Sequence, residues 1–133
     1  MSDYLSPNLS GELHEMSVLA LAHVGDAVFE LMVLTWLCLR GASTPRRIHD
    51  EAVTFVSAKA QAASFERIST VLSEDELGVY KRGRNAHVNS VPRGSTVQEY
   101  HTATGIEALF GYLYLSGQTD RLNTLFELIV SDE

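Results

Sequence analysis

The sequence predicts an all-α domain, and three observations carry that expectation. No run alternates polar and apolar residues with period two for long enough to make a strand. Helix start and stop signals recur at short intervals along the whole chain. The most apolar stretch, residues 18–39, is several times longer than an ordinary strand. The chain has 133 residues, 45% of them hydrophobic, which suffices for one sizeable core. No internal repeat, low-complexity tract or Gly/Ser linker divides it, so residues 1–133 are expected to form a single domain.

Residues 1–12 read as loosely ordered, with Pro7 and Asn8 as turn formers. A first long helix is predicted over 13–40, stopped by Gly41. Thr44-Pro45 then supplies an N-cap and a proline at the first helical position, opening an Ala-rich helix over 45–68. Ser73 with Glu76 is a capping box for a third helix over 74–85. Residues 87–94, with Asn89, Pro92 and Gly94, read as a loop. Ser95 with Gln98 forms another capping pattern and opens a fourth helix that ends near Gly117. Thr119 or Asp120 caps a last helix over 121–129. Five helices joined by short connections make a helical bundle.

Lys and Arg total 10 against 17 Asp and Glu, a formal charge of −7. A generally basic protein that coats nucleic acid is therefore excluded. One cysteine, Cys38, excludes an internal disulfide and a four-cysteine zinc site, and it reads as a small buried apolar residue. The first fifteen residues contain no apolar run resembling a secretory signal, so a reducing, cytoplasmic setting is expected. The stretch 18–39 is long enough to cross a bilayer. It also carries His23, Asp26 and Glu30, and intramembrane carboxylates are costly. It reads as a core helix, with no membrane partner.

Two acids stand in apolar helices. Asp26 shares a helical face with Leu19, Ala22, His23, Glu30, Val33 and Leu37. Glu107 lies in Gly105-Ile106-Glu107-Ala108-Leu109, and its i±4 neighbours Ala103 and Gly111 are small enough to let another helix approach. Neither acid has a Lys or Arg one turn away on its own helix. A buried carboxylate needs a partner charge or a metal ion. Two of them converging suit a hard cation, Mg²⁺ or its substitute Mn²⁺, which accepts one or two protein carboxylates and retains waters.

The negative overall charge has a local exception. Between Leu77 and Gln98 there is no acid, while Lys81, Arg82, Arg84 and Arg93 supply four cations. With Gly83 and Asn85 among them, this stretch reads as a phosphate-contacting surface, and Arg46 and Arg47 form a second one. His87 and His101 are further candidates for phosphate contact. Tyr112 and Tyr114 read as core residues rather than base-stacking platforms.

These residues carry a resemblance. His23-Val24-Gly25-Asp26-Ala27-Val28-Phe29-Glu30 resembles the signature helix of the ribonuclease III catalytic domain, and Gly105 to Tyr114 resembles that family's second metal-binding helix. Arg82-Gly83-Arg84-Asn85-Ala86 and Glu99-Tyr100…Ala103-Thr104-Gly105 are similar to the Mini-ribonuclease III branch, which has the catalytic domain alone. The likeness extends over about 17–115. It implies an all-α endonuclease domain acting as a homodimer, with His23, Val18 and Leu19 at the dimer seam. Double-stranded RNA is the implied substrate, and in the Mini branch the ends of the large-subunit (23S) ribosomal RNA precursor. Asp26 and Glu107 take the places of the metal-binding catalytic acids, and products would carry 5′-phosphate and 3′-hydroxyl ends.

The chain departs from the longer family members at two positions. Where they carry a glutamate one turn before the aspartate, this chain has Ala22. Where they carry an aspartate three residues before the glutamate, it has Thr104. Thr104 is therefore expected near the metal rather than on it, Glu30 is either a third acid near the metal or a structural residue paired with an Arg, and His23 replaces an aromatic residue. With few cations, RNA affinity should be modest and salt-dependent, leaving substrate choice to a partner such as a ribosomal protein. Two other readings stay open at this point: a non-catalytic RNA- or ribosome-binding helical module, and an oligomeric scaffold.

Overall fold

The computed structural model describes residues 3–86 and 93–131. Among them are a short 3₁₀ helix (Gly11–Glu15) and six α-helices, with no strand: α1 (Val18–Leu39), α2 (Pro45–Val56), α3 (Ala58–Ile68), α4 (Glu74–Arg84), α5 (Val97–Leu115) and α6 (Thr119–Val130). The all-α expectation holds, but two of the five predicted helices are divided, each at a serine. At Ser17 the backbone leaves helical space (ψ 135°), and the hydroxyl accepts from the N–H groups of Leu19 and Ala20. At Ser57 (ψ 154°) it accepts from the N–H of Ala60. In both places a capping serine competes successfully with continuation of the helix.

The remaining boundaries shift slightly. The Ser73/Glu76 capping box opens α4. Thr96 and Glu99 open α5, one residue beyond the expected pair. Gln118 precedes α6 and makes no side-chain cap, so neither Thr119 nor Asp120 serves in that role. Residues 3–10 lie along the end of α5, where Leu9 N–H donates to the Leu115 carbonyl (2.7 Å) and the Tyr114 hydroxyl donates to that of Tyr4.

The long apolar helix α5 runs through the centre. Ile106, Leu109, Phe110 and Leu113 are fully buried, against Phe29 and Val33 of α1, Ile68 of α3 and Leu125 of α6, and Ala108 is fully buried in a smaller cluster with Leu13, Leu21, Ala22 and Val79. Phe29 meets Phe110 and Phe126 edge-on at ring separations of 5.3 and 6.0 Å. Phe65 stacks on Tyr80 at 4.0 Å, joining α3 to α4.

Glycines set how closely the helices cross. An added Cβ on Gly25 of α1 would lie 1.6 Å from the Glu107 carbonyl oxygen, and one on Gly111 of α5 would lie 1.9 Å from that of Leu21. The two backbones are in direct contact there. A second close crossing joins α4 to α5, where a Cβ on Gly83 would meet the Ala108 Cβ at 2.7 Å.

One ion pair ties α6 to α4. Arg121 donates to both carboxylate oxygens of the buried Glu76 (2.8 and 2.9 Å) and to the Val71 carbonyl. The guanidinium hydrogen bond, opposed by burial and aided by Ser73, holds the Glu76 carboxyl below the usual range. A depressed carboxyl stabilises the fold above its normal titration range, and that contribution is lost as pH falls through the folded value. Arg121→Met strands the buried carboxylate and is expected to cost about 2–4 kcal/mol at pH 7, and less near pH 4. Urea unfolding at the two pH values checks this; an equal cost at both would contradict the assignment.

Candidate active site

The Gly25/Gly111 crossing builds the site. Because the backbone of α1 touches α5 at Glu107, the next residue on α1, Asp26, is carried to the Glu107 side chain. The two carboxyl groups come within hydrogen-bonding range. Burial first, then the facing Asp26 carboxylate, pushes the Glu107 carboxyl up to about 8. The amide of Gln61 on α3 lies beside Glu107 and opposes that rise, yet it stops short of a formed hydrogen bond: neither its nitrogen nor its oxygen has a partner.

Asp26 differs from its expected setting. It was expected to be buried, but it is exposed, as are His23, Ala27, Glu30 and Leu31. The buried face of α1 is the stripe Leu21, Gly25, Phe29, Val33 and Leu37, joined by Ala22. Asp26 stands at the edge of that stripe, over a groove of about 490 Å³ lined also by His23, Glu30, Leu31 and Tyr114. Cys38 is likewise exposed rather than buried. On a helix apolar nearly all round, composition does not tell which face the rest of the chain covers.

The pair fits a divalent cation. No Lys or Arg among the described residues pairs with Asp26 or Glu107; the ion pairs there are Arg46–Asp50, Arg47–Glu51 and Arg121–Glu76. Two carboxylates facing each other without a countercharge repel unless a proton or a metal ion lies between them. No cluster of three acidic, His or Cys side chains is present among the described residues, so a cation at this place would take two carboxyl groups from the protein. That number suits Mg²⁺, which keeps its other positions for water or phosphate oxygens.

The other predicted residues are spread over several elements. Thr104 is buried, and its hydroxyl donates to the Tyr100 carbonyl (2.9 Å), away from the acids. Gly83 presses on the turn of α5 formed by Thr104, Gly105 and Ala108, so its flanking residues Arg82 and Arg84 belong to the helix end that packs beside Glu107. Lys81 and Arg82 are exposed and without an acidic partner among the described residues. Arg84 lies over the Tyr80 ring at 5.7 Å and donates to Asn85 (3.2 Å). Arg84 and Asn85 line a second, open groove of about 500 Å³ with Gln98, His101 and Thr102. Arg93 is exposed; His87 lies outside the described residues. Arg46 and Arg47 stand at the exposed start of α2, and each faces an acid four residues on (3.9 and 3.4 Å). Leu19 is 41% exposed, and Val18 packs against the small cluster around Leu13 and Leu21. Tyr112 and Tyr114 pack against the core.

Two features of the site had only a faint signal in the chain. Gln61 is the one long polar side chain in Ala60-Gln61-Ala62-Ala63, a mark of burial that is weak by itself. Gly25 becomes informative only when paired with Gly111.

Comparison with known proteins accords with this geometry. Residues 19–118 match the family model described as the Ribonuclease III domain. The chain is 46% identical to Mini-ribonuclease 3 of Thermoanaerobacter sp. (strain X514) over 115 residues, 86% of this chain and 81% of the relative. It is 41% identical to that of Enterococcus faecalis (strain ATCC 700802 / V583) over 113 residues, 84% of this chain and 86% of the relative. A crystal structure of protein FN1578 from Fusobacterium nucleatum superposes with a TM-score of 0.82 at 28% identity, covering 91% of this chain and 97% of that one.

Proposed function

The chain belongs to the ribonuclease III family and is an endoribonuclease; from that premise we propose that it cuts double-stranded RNA with a divalent cation, Mg²⁺ in the cell, held by Asp26 and Glu107. The observation that carries this reading is the meeting of those two carboxylates with no cationic side chain to neutralise them. When bound, the ion would supply a water of lowered pKa and offset charge at the scissile phosphate. Glu107 must give up its proton to bind the ion, and Asp26, already at the groove surface, faces the incoming strand. Hydrolysis breaks the bond between phosphorus and the 3′-oxygen, leaving a 5′-phosphate and a 3′-hydroxyl.

RNA would be held through its phosphates, since A-form grooves are read by shape and backbone. Lys81 and Arg82 are the available cations beside α5, with Arg84 and Asn85 at the same helix end and Arg93 exposed farther along the chain. Arg46 and Arg47 are half-neutralised by their own acids and contribute less. On a chain of net charge −7 this gives modest, salt-sensitive affinity. Modest affinity leaves room for a partner that presents the RNA, a ribosomal protein, and the substrate that the resemblance to the Mini branch implies is a precursor of large-subunit ribosomal RNA in the cytoplasm. Faster cutting of protein-bound than of naked precursor is the expected result; equal rates would remove the partner.

The exposed apolar side chains of α1, Leu19, Leu31 and Leu39 at 41, 58 and 83% exposure, support a homodimer formed on this helix around His23. Sedimentation at micromolar concentration should give twice the 14.7 kDa chain mass; a monomer would contradict the proposed interface.

The decisive experiment is end-labelled double-stranded RNA incubated with Mg²⁺ or with chelator, alongside a binding assay. Scission with Mg²⁺ alone is expected. RNA binding without scission in any divalent ion would favour the non-catalytic module instead, for which the two-acid site, short of the longer members' four, is the one supporting observation.

A further inference from the structure

Gln61 is 1% exposed, and neither atom of its amide has a hydrogen-bond partner among the described residues. Leaving such a group unmet forfeits the hydrogen bonds it made to water in the unfolded chain. A leucine or methionine would fill the same space on the Ala-rich face of α3 without that penalty, so the amide calls for a ligand. Its neighbour is Glu107, across the packed α3–α5 interface. An amide is also suited to the place: it donates through nitrogen while accepting through oxygen, and carries no charge. The two positions where longer family members add acids offer nothing equivalent, because Ala22 has no polar atom and the Thr104 hydroxyl is directed to Tyr100.

We infer that Gln61 is a positioning residue of the acidic site: when the cation binds, its amide nitrogen donates to the Glu107 carboxylate, and its oxygen accepts from a water bound to the ion. The inference rests on the metal-site reading above and deepens it. It assigns the third polar side chain of the centre to α3, an element that neither acid belongs to. Groups that orient a metal ligand in this way commonly account for 10–100-fold in metal affinity.

The test is Mn²⁺ titration of the full chain by electron paramagnetic resonance. Melting without metal and double-stranded RNA binding in chelator are measured in parallel. Gln61→Leu should raise the Mn²⁺ dissociation constant 10–100-fold, with metal-free melting equal or higher and RNA binding unchanged. Gln61→Met, unbranched like glutamine, carries the test should the leucine variant not fold. A dissociation constant within twofold of the parent in either folded variant would overturn the inference. So would a joint loss of metal affinity, RNA binding and melting temperature, which marks a structural role. The Asp26→Asn/Glu107→Gln double variant separates the levels: if the parent binds Mn²⁺ no better than this variant, the acidic pair holds no ion and the underlying reading falls with the inference.

Discussion

Gly25→Ala should destroy the site and most of the fold together. In a free helix the change is favourable, since alanine exceeds glycine in helix propensity by about 1 kcal/mol. Here the new methyl would lie 1.6 Å from the Glu107 carbonyl oxygen, with the Gly111 nitrogen at 2.7 Å. Both obstacles are backbone, so no rotamer change relieves them, and α1 must move away from α5 along its length. The expected cost exceeds about 4 kcal/mol, the range of severe overpacking. A melting temperature lower by ~15 °C follows for a domain of this size, or no soluble protein at all. Gly78→Ala in α4 is the matched control, since nothing lies within 4 Å of its added Cβ. It should stabilise by about 0.5–1 kcal/mol. Thermal melting of both variants decides the matter: a Gly25→Ala protein that melts with the parent would mean that the helices do not cross at this distance.

Glu107→Gln should lower Mg²⁺-dependent cleavage by about a thousandfold or more, the scale of losing a principal charge-stabilising group, while making the metal-free protein more stable at pH 8. Glu107 titrates at about 8 in the folded chain against 4.5 normally, so folding favours its protonated form. Its contribution is complete below pH 4.5 and is lost progressively as pH rises to 8. In chelator, the parent should therefore lose stability across that window by a few kcal/mol, whereas the glutamine variant carries no such slope from this position. The two should melt alike near pH 4.5 and diverge by pH 8, and Mg²⁺ should restore the parent alone. Parallel stability curves would mean that the carboxyl is not held protonated.

What could be read in the chain follows from where each kind of information resides. The all-α class and the α4 capping box are local patterns, and local patterns survive folding. Asp26 and Glu107 stood out because an acid inside an apolar run is unusual wherever the run is packed, and the small neighbours Ala103 and Gly111 already indicated a close helix. The breaks at Ser17 and Ser57 were not legible, because a serine within a helix and a serine starting one have the same neighbours until the backbone turns. Nor was the exposure of Asp26 and Cys38, since α1 is apolar on nearly every side. Gln61 belongs to a third class: its meaning lies in a contact between α3 and α5, forty-six positions apart, that no periodicity encodes.

The span between the two acids is a main-chain distance, determined where Gly25 and Gly111 let the helices touch. Side chains around the centre are thus mounted on a rigid ruler. A protein engineer could exchange the two acids one at a time, to favour a softer ion under the proposed reading or to abolish turnover while retaining grip on RNA, without rebuilding the scaffold, provided those two glycines stay.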